Sequence, residues 1–187
     1  MTGRGPAQSA GRRFAIRVLV AGIVLIGGIA SVFAVGGYRI NTTPSFPLGL
    51  WQIEPLRRDI AIGDTVFICP PMDREPFQLA RERAYLPHGL CDGGVAPLIK
   101  RIVAVSGQAV TVRGSQVYID GHELGSSSIR AKDGQGRPII AYAGGVVPQG
   151  SVFIHSDFVA SYDSRYFGPV PARGILGLAK PVVTFTP

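Results

Sequence analysis

The chain has 187 residues, 46% of them hydrophobic and 17% charged, with a formal net charge of +7. That length and apolar content suit one membrane segment plus one ordinary domain with its own core. The basic excess is concentrated before the apolar run; without Arg4, Arg12, Arg13 and Arg17 there remain 15 basic and 12 acidic residues. No basic run with interleaved aromatics follows, so the composition gives no reason to expect a nucleic-acid partner.

Val18 to Gly37 is free of charge, and as a helix it spans roughly 30 Å, the thickness of a bilayer's hydrocarbon core. Residues 1–17 are basic, which by the positive-inside rule keeps them cytoplasmic and sends the remainder across. The reading is one transmembrane helix over 18–37, followed by a single periplasmic β domain over 39–187. Two alternatives are a buried core helix and a cleaved signal peptide, for which Val32-Phe33-Ala34 has small residues at the required spacing. The length of the apolar run and the Tyr38-Arg39 boundary favour the uncleaved anchor.

Beyond the anchor, strands outnumber helices. Short apolar runs over Leu50–Ile53, Thr65–Ile68, Leu98–Val105, Ala109–Arg113, Gln116–Ile119, Val152–His155 and Leu176–Phe185 read as strands, with turns at Gly114-Ser115 and Asp120-Gly121. Pro70 to Gly94 reads as a loop holding one short helix near Pro76–Ala84, and Gly125 to Pro148 as a second loop. The two cysteines, Cys69 and Cys91, flank the first loop. In an oxidising periplasm they favour a disulfide worth on the order of 3 kcal/mol, the alternative being two buried thiols.

Three segments carry chemistry. Ser45 lies between Pro44 and Pro47, which fix two backbone angles and remove two amide donors; Gly49 is read as letting the chain turn away. A linker is the plain alternative for this stretch. Lys100 sits in the apolar strand beside Leu98 and Ile102, where burial disfavours the charged ammonium and makes the amine a candidate base. The third segment, Ser156 to Val170, is rich in hydroxyls; Asp163 and Arg165 can pair, and Ser161 can hold the lysine amine. A histidine triad drawn through Ser45, His155 and Asp163 lacks any recognisable hydrolase context. His88, His122 and His155 are too scattered to suggest a metal, and a Ser/Lys pair needs no cofactor.

Together these segments resemble the signal peptidase family of Ser/Lys serine proteases. The carriers are Ser45-Phe46-Pro47, then Lys100-Arg101-Ile102-Val103 running to Gly107, then Ser161 to Gly168 with Asp163-Ser164-Arg165. General signal peptidases have methionine where Phe46 stands and glycine-aspartate-asparagine where Ser156-Asp157-Phe158 stand. A glycine-aspartate follows their lysine strand, where this chain has Gly107-Gln108. These departures favour a specialised branch, the TraF-type proteases of plasmid conjugation, which the chain resembles in Asn41-Thr42-Thr43, Ser45 to Leu50, Cys69-Pro70-Pro71, Cys91 and Arg165 to Pro169.

The resemblance implies Ser45 as nucleophile, Lys100 as general base, Asp163 as a third functional residue, and Ser161 as orienting the lysine. It also implies an oxyanion hole from the Ser45 amide and the Thr43 hydroxyl. The implied substrate is a membrane-tethered pilin precursor, cleaved or joined head to tail by transpeptidation, at the inner membrane of a bacterium. The alternatives are a general signal peptidase acting on signal-peptide-bearing precursors, and a non-enzymatic subunit of a pilus or secretion apparatus.

Overall fold

The computed structural model describes residues 6–185; Arg4 of the basic segment and the last two residues of the C-terminal domain lie outside them. The chain forms two compact units, the second beginning at Arg39.

The first unit is helix α1, Pro6–Val35. It starts before the apolar run and stops two residues short of that run's end. Gly36 donates its amide to Val32 O at 2.8 Å, and Gly37 takes φ 70°, a left-handed conformation that ends a helix at little cost for glycine. The stretch Gly11–Phe33 is long and apolar enough to cross a membrane, and none of it is buried against protein.

The second unit is mainly antiparallel β. In chain order its elements are β1 Tyr38–Asn41, whose first residue closes the first unit, β2 Leu48–Glu54, β3 Thr65–Ile68, α2 Glu75–Glu82, β4 His88–Cys91 and β5 Leu98–Val105. There follow β6 Ala109–Arg113, β7 Gln116–Ile119, β8 His122–Glu123, β9 Gly145–Val146, β10 Ser151–His155, α3 Ser164–Phe167, β11 Val170–Pro171 and β12 Ile175–Phe185. One sheet orders its strands β1-β2-β12-β3-β5-β10-β11, and a smaller one β8-β7-β6-β9.

The long strands match the apolar runs because each carries enough alternating or continuous hydrophobicity to declare itself. The missed strands, β1, β4, β8, β9 and β11, are four residues or fewer. Asp120 and Gly121 both have positive φ, 48° and 83°, which suits the tight turn between β7 and β8. Gly49 does not turn the chain. It lies inside β2 at φ 122°, where a Cβ would stand 2.3 Å from Val183 O on β12.

Strand β5 is the spine of the larger sheet. Val66 of β3 pairs with Lys100 on one side, and His155 of β10 pairs with Arg101 on the other. One core, including Ile68, Phe77, Ile102, Ile154 and Phe167, fills the space under α2 and α3. Trp51, Phe67, Ile99 and Ala179 form another, against which Phe46 packs. Cys69 and Cys91 are joined in a disulfide with Cα atoms 5.6 Å apart, tying the start of the α2 loop to the end of β4.

Candidate active site

The loop that carries Ser45 is gathered chiefly by Asn41. Asn41, the last residue of β1, donates its amide nitrogen to the carbonyls of Thr43, Phe46 and Pro47 at 3.0, 3.0 and 3.1 Å. Its Oδ1 accepts the Thr43 amide at 3.1 Å and the Thr43 hydroxyl at 2.8 Å. Proline removes amide donors from this loop, so its carbonyls would otherwise lack partners. The far end is anchored by Trp51, whose indole donates to Pro47 O at 2.9 Å while Phe46 packs edge-on against its ring. Phe46 therefore serves as an apolar peg for the loop.

Ser45 Oγ lies 3.2 Å from Thr43 Oγ1. The Thr43 proton is directed to Asn41 Oδ1, which can only accept, so Ser45 is the donor in the Ser45–Thr43 contact. In this state Thr43 orients the Ser45 hydroxyl. To serve the oxyanion hole implied by the resemblance, its hydroxyl has to rotate away from Asn41.

Lys100 is 2% exposed and donates to Ser161 Oγ at 2.7 Å. Burial drives the amine down from the ordinary lysine value to about 8; the Asp163 charge opposes this and the Arg165 charge assists it. At pH 7 about a tenth of such amines are neutral, roughly 300 times the fraction for an ordinary lysine. Because one N–H is committed to Ser161, the nitrogen's lone pair is free to face elsewhere. Ser45, Lys100 and Ser161 line the same cavity of about 490 Å³.

Asp163 stands apart from that lining. Its carboxylate accepts Arg165 Nε and Nη2, each at 2.8 Å, the Arg165 amide at 3.2 Å and the Ser156 amide at 3.2 Å. Desolvation pushes the carboxyl up, but His155, Arg165 and Lys100 together outweigh it, and the net direction is down. Among these Arg165 acts most strongly, since His155 Nδ1 is 3.5 Å away and neither ring nitrogen of His155 has a hydrogen bond among the described residues. Arg165, fully buried, spends its remaining donors on the carbonyls of Ser126, Ser128, Phe158 and Ser161. Asp163 and Arg165 thus fix the loop that presents Ser161 to Lys100. Neither lines the cavity; Arg165 reaches its lining through Phe158, Ser161 and Tyr166.

Two contributors, Asn41 and Ser156, enter the sequence reading only as parts of motifs, without a role. Asn41 occupies the mouth of the loop it organises. Ser156, buried at the end of β10, donates to Ser45 O and accepts the Phe158 amide at 3.2 Å. The departure from the glycine-aspartate-asparagine pattern at Ser156 was the available signal. His155 is buried, pairs through its backbone with β5, and does not line the cavity. A triad through it finds no support.

The disulfide bears on the same cavity. Leu86 to Leu90, within the loop closed by Cys69 and Cys91, form one wall. Residues 130–134 form part of another, and the Tyr85 hydroxyl ties the two by donating to Asp133 Oδ2 at 2.5 Å.

Residues 12–184 match the family described as signal peptidase, peptidase S26. The conjugal transfer protein TraF of Agrobacterium fabrum (strain C58 / ATCC 33970) is 53% identical over 178 residues, covering 94% of this chain and 99% of the relative. A plasmid transfer protein TraF of Escherichia coli is 35% identical over 177 residues, covering 91% of this chain and 98% of the relative. Among solved structures, a signal peptidase I of Enterococcus faecalis V583 aligns at a TM-score of 0.40 and 19% identity, covering 65% of this chain and 97% of the other.

Proposed function

Since the chain belongs to the signal peptidase family, peptidase S26, and to the TraF conjugal transfer proteins within it, we propose that it is a Ser/Lys endopeptidase that processes a membrane-tethered pilin precursor. The observation that carries this reading is the buried Lys100 amine, held by Ser161 and lining one cavity with Ser45.

Neutral Lys100 takes the Ser45 proton as Oγ attacks the scissile carbonyl, and an acyl-enzyme forms when Lys100 returns that proton to the leaving amine. The Ser45 amide, with the Thr43 hydroxyl once rotated, receives the developing oxyanion. Water then releases the acid by hydrolysis. If the substrate's own amino terminus attacks first, the ends are joined in a ring, and the two outcomes differ only in the acceptor. Asp163 and Arg165 act as positioning residues through Ser161. Helix α1 anchors the enzyme in the inner membrane with its basic end in the cytoplasm, and the β domain works on the periplasmic side.

The test is co-expression with the pilin precursor encoded by the same transfer system, read by mass spectrometry. Wild type is expected to yield a trimmed chain, and a mass lower by one further water identifies the ring. Ser45→Ala is expected to leave the precursor intact while the protein remains folded and membrane-bound. Processing at the wild-type rate in that variant would remove Ser45 as nucleophile and return the chain to a non-enzymatic role.

A further inference from the structure

The wall of the cavity formed by residues 130–134 carries charge that the proposed peptide-bond chemistry does not use. Arg130 and Lys132 both line the cavity and both are solvent-exposed. They flank a bend at Ala131, which is itself absent from the lining. Neither side chain has a hydrogen bond or ion pair among the described residues.

Their backbone is fixed. Ile129 N donates to Ser115 O at 2.7 Å, Arg130 N to the Tyr166 hydroxyl at 3.1 Å, and Ile139 N to Ala131 O at 3.0 Å. Lys132 also forms a β-bridge with Pro138. The two cations are therefore presented by a stiff segment.

The cavity's acid does not offset them. Asp133 is the one acidic residue in the lining, and its carboxylate is already saturated. It accepts Arg137 Nε at 2.6 Å, the Tyr85 hydroxyl, and the amides of Gln135 and Arg137. These contacts, against desolvation, hold it below the usual carboxylate range. Much of the remaining lining is apolar, including Leu86, Leu90, Leu98 and Phe158. Low-dielectric walls focus the field of unpaired charges into the space between them.

Resting on the protease reading above, we infer that Arg130 and Lys132 select substrates with a carboxylate close to the scissile bond, on the side that meets this wall. The carboxylate belongs either to an acidic side chain or to the free C-terminus of a short leaving segment. Apolar side chains settle in the rest of the cavity, and the charged group fixes which bond reaches Ser45.

The test uses the full chain in neutral detergent micelles and internally quenched peptides with small residues at the cleavage region. Each flanking position carries Glu, Gln or Lys in turn, and each peptide is made as free acid and as amide. Glu is expected to exceed Gln in kcat/KM by about five- to tenfold at one or two adjacent positions, mainly through KM, as for two partly exposed ion pairs. About 0.5 M salt should largely remove the difference. Sensitivity to amidation without a Glu preference assigns the carboxylate to the terminus.

The double variant Arg130→Glu, Lys132→Glu is expected to turn the preference toward Lys, and Arg130→Gln, Lys132→Gln to abolish it. Equal rates for Glu, Gln and Lys peptides, together with indifference to amidation, overturn the inference, as does an unchanged profile in a folded double variant. It also falls if the variants lose binding to phosphatidylglycerol vesicles while the peptide profile stays put, since the cations then serve the membrane surface. A wild-type chain that cleaves no peptide defeats the protease reading instead. The carboxylate preference is then decided by fluorescence anisotropy of the same labelled peptides on Ser45→Ala, where tighter binding of Glu or free-acid peptides upholds it and equal binding overturns it.

Discussion

Replacing Lys100 with methionine should make the protein more stable at neutral pH while destroying its chemistry. The side chain is 2% exposed, and burial brings its amine from 10.5 to about 8. That displacement corresponds to about 3 kcal/mol of folding free energy. The direction follows from proton counting. Below about pH 8 both folded and unfolded chains hold the proton, so the folded protein carries the whole penalty. Between about 8 and 10.5 only the unfolded chain holds it, and wild-type stability rises with pH. Methionine has no proton to lose. The stability gap between Lys100→Met and wild type should therefore shrink by about 2–3 kcal/mol between about pH 7 and pH 10, while other titrating groups cancel. Urea unfolding of the full chain in micelles measures it, because the single tryptophan, Trp51, is 4% exposed in the β domain and reports on that domain. A gap that stays constant across this range would show that burial does not disfavour the ammonium, and the argument for Lys100 as base would fail.

Three further outcomes are expected. Cleavage measured as kcat/KM should rise with pH through about 8 and level off above it, as Lys100 loses its proton; a flat profile from about pH 6 to 9 would exclude a titrating amine at that position. Asp163→Ala leaves the Arg165 guanidinium buried without a carboxylate and should cost about 3–5 kcal/mol in urea unfolding; a loss below about 1 kcal/mol would mean that the pair does not organise the loop. Ser156→Ala removes the bond to Ser45 O and should lower kcat about tenfold with KM little changed, with Ser156→Thr restoring much of the rate; a change confined to KM would assign Ser156 to substrate binding.

Sequence patterning located the parts of the site better than their division of labour. Ser45, Lys100 and Ser161 were legible because each breaks a local rule: a serine locked between prolines, a lysine in a greasy strand, a hydroxyl-dense turn. Lys100 meets Ser161 because β5 lies beside β10, while Ser45 comes from the β1–β2 connection at the far end of the same sheet, and strand order is not written in periodicity. Asp163 looked like a third member of the reacting set, yet its partners are Arg165 and Ser156; composition cannot tell a group that faces a cavity from one that braces its wall. The long loop over 125–148 showed no period because its backbone is held by scattered bonds, such as Tyr142 N to Arg165 O at 2.8 Å. Periodic patterns report repeated contacts, and these do not repeat.

The grip of Asn41 on three carbonyls has a thermodynamic corollary. A loop rich in proline, with three carbonyls held by Asn41, one of them shared with Trp51, and a fourth held by Ser156, has its backbone set before any peptide arrives, and only the Thr43 hydroxyl has still to turn. Its backbone ordering entropy is settled when the domain folds, so binding at this cavity does not have to supply it. On the protease reading proposed above, a weakly held peptide then meets a loop that is already ordered and does not have to wait for one to form.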